Sequence, residues 1–445
     1  MSDAAVTLLI SDLHIGGGAA DPGDDHVHQG DPLIRFLDAH AGSAQGRAGA
    51  IELFINGDFL EFAQTNTAAF SHVSDRYWCT EHESLQKLET ILAGHPRIFE
   101  ALSRFQAPGN RVSIAAGNHD VDLVWPAVQQ RLKDVAGRRI RFETGQEWVG
   151  RYGDRLQIGH GHMSDPANRF AHWNHPIRST DWAVQRLEMC PGTLFMVKFV
   201  NRLETRYPFA DNLLPVTKLA TVLLHEQVGG FAAMAWAFLR LLHSPLATLA
   251  RQKGDATGVR LMARFRADER AFERLRRVAV DNSLAAHLPE TASQLGEEQL
   301  AELVVGLRDR IPPLQWEALF ELPTDPALLG GTPVTLQAVT KAAFDDGKAT
   351  LRKVAQQRSD ATGAQVVVMG HTHQPDEFAL SGGRYFNPGS WTRYLELQPG
   401  QRVTLADLTD ESRYPYRLNC IRVSPAPNGS LDAALLTFEE HVPSA

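Results

Sequence analysis

The chain has 445 residues, 43% of them hydrophobic and 22% charged, which excludes wholesale disorder and a fibrous protein. A formal charge of −8, from 44 Lys and Arg against 52 Asp and Glu, excludes a whole-chain basic footprint for nucleic acid. The three cysteines, Cys79, Cys190 and Cys420, lie far apart with no Cys-x-x-Cys, which excludes a disulfide framework and a cysteine-rich zinc site.

The N-terminal MSDAAVTLLISDLHIG has an acidic residue at position 3 and no basic region before its apolar run. We therefore read 6–10 as a first buried strand and expect no export signal. Residues 16–30, GGGAADPGDDHVHQG, read as a flexible loop, and 32–40 as a helix behind Asp31. A second apolar run, 51–55, ends in NGD. Residues 81–106 are helical in pattern, interrupted at Pro96. A third run, 112–116, ends in GNHD, and 121–135 is helical again. Strand-like segments follow around 138–143, 147–151 and 156–159. Short apolar runs bounded by turn residues fit buried strands, and their alternation with helices predicts an α/β sheet.

Between 176 and 359 strand signals become few and helical ones many, with apolar stretches at 216–224, 228–242 and 300–307. This stretch predicts an all-helical insertion. Its charge is +3 against −11 for the remainder, and 240–277 holds ten basic and four acidic residues. Strand signals return at 365–369, 384–387, 416–423 and 431–439. Residues 1–175 and 360–445 together make 261, one domain's worth. The longest uncharged apolar run, 228–239, has 12 residues, whereas a bilayer span takes about 20. A cytoplasmic protein is the expectation, with peripheral membrane contact through 216–277 as a further one.

Five polar clusters share one placement. Asp12-x-His14 follows the first run, Gly57-Asp58 the second, and Gly117-Asn118-His119-Asp120 the third. Gly159-His160-Gly161-His162 and Gly370-His371-x-His373 follow two later ones. Ligands of α/β sheets bind at the carboxyl ends of the strands, and packing does not account for five such clusters there. Asp, Asn and His offer oxygen and imidazole donors without thiolate, a set suited to manganese, iron, zinc or nickel. On an extended segment Asp-x-His and His-x-His would project both side chains to one face. Asp58 is the natural carboxylate to bridge two cations. A turn reading of NPGSW around Ser390 outweighs a nucleophilic serine.

In this order DLH, GDFLE, GNHD, GHGH and GHTH resemble the calcineurin-like metallophosphoesterase family. The resemblance covers about 260 residues at the two ends of the chain. It implies an α/β fold, a two-sheet β-sandwich flanked by helices, here with a large helical insertion. It further implies two divalent transition-metal ions, manganese favoured over iron, zinc or nickel. Asp12, His14 and His373 would hold the first, Asp58 would bridge, and Asn118, His160 and His371 would hold the second. His119 would contact phosphate or protonate the leaving group, with Asp120 orienting it. A metal-bridging hydroxide would attack a phosphoester or pyrophosphate bond.

The second motif of the family usually ends in Asp, where this chain has Glu61. Of the two histidines in the fourth motif, the glycine-histidine-glycine pattern makes His160 the ligand and His162 its neighbour. Asp165 and Asn168 are candidates for hydrogen bonds that fix the histidines. GDxxE and GHTHxP bring the chain nearest to the UDP-2,3-diacylglucosamine pyrophosphatase-like group, although that group usually carries GNRD and a much shorter lid. A phosphorylated small-molecule or lipid-linked substrate is therefore expected, and no long nucleic acid. The alternatives are a nucleotide or nucleic-acid phosphodiesterase and a non-catalytic metal-binding scaffold. Oligomeric state is left open by the sequence.

Overall fold

The computed structural model of the protein describes residues 4–20, 31–67, 77–165, 167–180, 184–204, 206–214, 219, 222, 265–281, 288–289, 291–295, 299–300, 347–397, 401 and 403–438. Two sheets organise the larger compact unit, which comprises 1–72, 76–238 and 343–445. The first has six strands in the order β15 (Leu431–Thr437), β14 (Asn419–Pro425), β1 (Val6–Ile10), β2 (Ile51–Asn56), β3 (Arg111–Ala115), β4 (Ile140–Glu143). β1 to β4 run parallel, and β14 pairs antiparallel with both β1 and β15. The second has five strands in the order β11 (Asp376–Ala379), β12 (Arg384–Asn387), β10 (Val366–Val368), β6 (Leu156–Ile158), β5 (Val149–Arg151). Its three inner strands are parallel and its edge strands antiparallel to them.

The period-two alternation of strand side chains accounts for the layering. Leu9, Phe54, Ile421 and Val423 of the first sheet share one buried cluster with Leu156, Ile158, Val366, Val368 and Phe386 of the second. The intervening residues Leu8, Ile10, Leu53, Ile55, Val112 and Ile114 face the other way. They pack with residues of the helices Asp31–Gly42, Glu81–Gly94, Pro96–Gln106 and Pro126–Ala136. On the far side of the second sheet Leu351 and Ala355 of the helix Gly347–Thr362 cluster with Val367 and Tyr385. The result is a two-sheet sandwich flanked by helices. An ion network also ties the sheets: Arg151 of β5 bonds Glu52 of β2 at 3.0 Å and Glu143 of β4 at 2.7 Å.

Local signals set the helix ends. Thr80 and Glu83 form a reciprocal capping box at the start of Glu81–Gly94. Pro96 opens the next helix at a position where its missing N–H costs nothing, so the predicted interruption becomes a boundary.

The expectation of an all-helical stretch over 176–359 is corrected at three places. Ile177–Ser179 and Gln185–Leu187 form an antiparallel hairpin, β7 and β8, and β9 (Leu213–Leu214) pairs in parallel with β13 (Leu395–Glu396). Partners distant in sequence impose these short strands. Leu187 exchanges backbone hydrogen bonds with Trp78 and Cys79, and Leu395 donates to Asn212. The helix Gly347–Thr362, assigned to the insertion from sequence, lies in the larger compact unit. The second compact unit, 73–75 and 239–342, is described mainly at its helix Glu269–Asp281, where Ala271, Phe272 and Leu275 are buried. The apolar stretch 228–242 and the loop residues 21–30 lie outside the described residues. Among the described residues no helix is long and apolar enough to cross a membrane.

The inter-sheet core makes one prediction. Phe54 is fully buried on a central strand, and Phe54→Ala should cost about 3–5 kcal/mol of unfolding free energy in urea. Val184→Ala, at a position 43% exposed, should stay within about 0.5 kcal/mol. Equal losses in the two variants would contradict this assignment of the core.

Candidate metal centre

All five motif loops leave the carboxyl ends of their strands, three from the first sheet and two from the second. Asp12 and His14 follow β1, Asp58 follows β2, and Asn118, His119 and Asp120 follow β3. His160 follows β6, and His371 and His373 follow β10. Ligand atoms of Asp12, His14 and His373 lie within 4.8 Å of one another, as do those of His14, Asp58 and His119, and those of Asp58, His160 and His371. His14 and Asp58 each belong to two groups, so the three form one continuous cluster.

The backbone reaches this arrangement by a route the sequence reading did not foresee. Asp12, His14, Asp58, His371 and His373 have φ of 55°, 46°, 49°, 70° and 58°. The segments are therefore left-handed turns, and the expectation of extended Asp-x-His and His-x-His geometry is wrong. Asp and His tolerate this region better than most residues, and strain of this kind gathers at functional sites. Two glycines permit the loops to close on one another. A Cβ at Gly117 would lie 2.2 Å from Asp58 Oδ1, and one at Gly370 would lie 2.0 Å from Ser11 Oγ.

Around the cluster, outward hydrogen bonds decide which donor atoms face inward. His14 Nδ1 meets Glu61 Oε2 at 2.7 Å, His160 Nδ1 meets the Asn56 carbonyl at 2.7 Å, and His371 Nε2 meets Asp165 Oδ2 at 3.1 Å. Each partner is an acceptor, so the bonded nitrogen carries a hydrogen and the other nitrogen is the one left for the cluster. His14 Nε2 then faces His373 Nε2 at 3.1 Å, and His160 Nε2 faces Asp58 Oδ2 at 3.0 Å. His373 Nε2 lies 3.4 Å from Asp12 Oδ1. Asn118 Oδ1 is buried with no hydrogen-bond partner among the described residues, while its Nδ2 donates to Asn168 Oδ1 at 3.2 Å. An orphaned amide oxygen, inward imidazole nitrogens and two buried carboxylates without thiolate fit divalent transition metals.

The electrostatics agree. Burial alone would raise the Asp58 carboxyl, but His160 and His119 outweigh it and hold the group well below the usual carboxylate range. Asp12 is also lowered, burial being overcome by His373 and His160. Burial opposes charge on His160, yet Asp58 carries the imidazole up to about 9.

Glu61, the departure in the second motif, serves two histidines. Its carboxylate meets His14 and His119 at 2.7 Å each. Burial would raise Glu61, but His119 and His14 bring it to about 2. Burial opposes charge on His119 as well, and Glu61 and Asp58 carry it up to about 10. Burial lowers His14, and the Glu61 bond offsets only part of that. The proton therefore sits on His119.

The expected role of Asp120 is corrected. Its carboxylate accepts from the backbone N–H of Gly117 at 2.6 Å and of Phe59 at 2.8 Å, pinning the second and third motif loops together. The partner that orients the His119 ring is Glu61. His162 is buried with its ring 4.3 Å from that of Trp173; neither nitrogen has a hydrogen-bond partner among the described residues, and it belongs to none of the three groups. Asp165 and Asn168 both reach the cluster, and Asn168 Nδ2 donates to Asp165 Oδ2 at 2.7 Å.

Two supports had gone unread. Ser11 Oγ donates to Asp12 Oδ2 at 2.5 Å, and Ser390 Oγ donates to the Asp12 carbonyl at 2.8 Å. The turn reading of NPGSW thus gains a purpose, which is to hold the Asp12 loop. Only the placement of these serines beside a motif could have signalled this.

A model of the calcineurin-like phosphoesterase superfamily domain matches residues 315–411. That segment carries His371 and His373, and the match supports the family resemblance and a metal-dependent phosphoesterase in general. The mixed α/β sandwich is consistent with a metallophosphoesterase fold. No curated protein matches the chain.

The charge balance fixes a pH dependence. Before a cation binds, His160 holds a proton up to about pH 9, and a cation must displace it. Apparent affinity for Mn²⁺ should therefore rise between pH 6 and pH 9, about tenfold per unit for each proton released, and then level off. The folded-state values of about 10 for His119 and about 9 for His160 lie above the ordinary 6.5. Their contribution to the stability of the cation-free protein is complete below pH 6.5 and is lost as pH rises through 9 to 10. Chelator-competition titrations at four pH values test the affinity, and a flat profile would contradict the assignment of His160.

Proposed function

We propose that the protein is a dinuclear metal-dependent phosphoesterase that hydrolyses a phosphoester or pyrophosphate bond. The observation that carries this reading is the continuous cluster in which Asp58 belongs to one donor group with His14 and another with His160 and His371. Asp12, His14 and His373 would hold one cation and Asn118, His160 and His371 the other, with Asp58 shared. When bound, two divalent cations supply an activated water at neutral pH and Lewis-acid contacts to phosphoryl oxygens.

The chain's own residues supply the rest. His119 is only 16% exposed at its side chain and is held by Glu61, which keeps it protonated and turned toward the cluster. It is the group placed to donate a proton to the departing oxygen. Asp120 keeps the two loops that carry Asp58 and His119 in register. Asn56, Glu61 and Asp165 hold three histidines so that no reorganisation is needed at the reaction step. A nucleotide-linked or lipid-linked phosphate is the substrate class we favour, on the GDxxE and GHTHxP motifs. The basic residues of 240–277 would assist contact with an anionic membrane surface. A non-catalytic scaffold is disfavoured because six of the seven expected donors converge and His119 stands among them.

Hydrolysis of bis-p-nitrophenyl phosphate and p-nitrophenyl phosphate, with Mn²⁺ added, tests the reading. Asp58→Ala should abolish turnover and metal retention together. His119→Ala should lower kcat about 10²–10⁴-fold on an alkyl phosphoester, whose leaving group needs a proton, and much less on a p-nitrophenyl ester. Activity in Asp58→Ala equal to that of the wild type would sink the proposal.

A further inference from the structure

We propose that Asp165 and Asn168 are a positioning pair that fixes which atoms of two separate ligands, His371 and Asn118, face the second cation. This inference rests on the two-cation reading above and deepens it.

The argument is one of hydrogen-bond polarity. An ionised carboxylate only accepts, whereas a carboxamide donates from one end and accepts at the other. Asp165 Oδ1 takes the backbone N–H of Ala167 at 2.9 Å, and Oδ2 takes His371 Nε2 at 3.1 Å and Asn168 Nδ2 at 2.7 Å. The carboxylate thus has no choice over His371, which must offer Nε2–H and keep its lone pair on Nδ1. It has no choice over Asn168 either, which must turn its amino group toward Asp165. The Asn168 carbonyl oxygen is then left to accept Asn118 Nδ2, at 3.2 Å. That bond in turn leaves Asn118 Oδ1 as the buried oxygen with no hydrogen-bond partner among the described residues.

One acceptor therefore orders a chain of three side chains, and the last of them is a ligand. Without Asn168 the Asn118 amide could turn over, and its NH₂ would then point two hydrogens at a cation. The two ends of the chain come from different sheets, Asn118 after β3 and His371 after β10. Asp165 and Asn168 lie just past the fourth motif, whose own ligand is His160. The short turn between 165 and 168 thus ties together ligands contributed by three loops.

The test is Mn²⁺ binding to the full chain by calorimetry, for wild type, Asn168→Ala, Asn168→Asp and Asn168→Leu. Asn168→Ala should leave one site at wild-type affinity and weaken the other about 10–100-fold. Asn168→Asp should be at least as harmful, because two carboxylates then face each other. Asn168→Leu keeps the volume and removes both hydrogen bonds, and it should weaken the same site as much as Asn168→Ala, which a role limited to packing would not produce. The retained tight site and an unchanged melting curve before metal is added show that each variant is folded. Two tight sites in Asn168→Ala, or in Asn168→Leu, would overturn the inference while leaving the two-cation reading intact. A wild type that binds fewer than two ions would overturn that reading, and this inference with it.

Discussion

Two imidazole nitrogens, His14 Nε2 and His373 Nε2, face each other at 3.1 Å from positions 359 residues apart. Both rings lie beside buried carboxylates, and Asp12 and Asp58 are 1% exposed or less. Their mutual attraction works against a cost, because charged groups removed from water lose hydration. Five of the residues involved also sit at positive φ, each at a cost of order 1 kcal/mol for a residue with a side chain. A domain's net stability is about 5–15 kcal/mol, so this strain is a sizeable fraction of it. The rest of the fold must hold these groups together, and the inter-sheet core is what does so. The cluster is stable only because Leu9, Phe54, Ile158 and Val368, on strands that lead toward the motif loops, are locked in one apolar interior.

This division of labour explains why the ligands come from two sheets. Parallel strands deliver their carboxyl ends to the same side, and packing two such sheets face to face brings two sets of loops to one edge. β1, β2 and β3 supply Asp12, His14, Asp58 and Asn118, while β6 and β10 supply the remaining three histidines. The segment matched to the family, 315–411, contains only His371 and His373 of this set. It is the tertiary arrangement that supplies their missing partners.

The convergence of candidate metal donors was legible in sequence because they stand in fixed order after apolar runs. Every one of the seven expected ligands stands at a strand end, and the strand positions themselves follow from short apolar runs. What could not be read was backbone conformation. Asp-x-His gives the same letters in an extended chain as in successive left-handed turns, and only the contacts of the neighbouring loops select the second. Partner choice was likewise hidden. Asp120 is adjacent to His119 in sequence, which makes it look like an orienting group, yet its carboxylate is taken up by the buried backbone N–H groups of Gly117 and Phe59. The strands β7 to β9 were illegible for a different reason, since segments of two or three residues have no periodicity to detect and exist through partners distant in sequence.

The exchange of Asp for Glu at position 61 shows how one side chain can couple two tasks. Its longer arm lets a single carboxylate lie between His14 and His119, whose rings approach edge to face at 4.6 Å. Toward His14 it accepts Nδ1–H, which makes Nε2 the nitrogen that faces His373. Toward His119 it balances a full positive charge in a buried place where that charge would otherwise be lost. On the proposed reading the ligand needs a neutral ring and the acid needs a charged one, and two similar imidazoles side by side would not sort themselves into these states unaided. The sorting comes from what else each ring faces. Both rings are buried and feel Glu61 and Asp58, but at His14 burial and the charge on His119 outweigh the two carboxylates. A carboxylate fixed between them therefore supports opposite protonation states in neighbouring rings, which is the condition for one residue to serve as ligand while the other serves as acid.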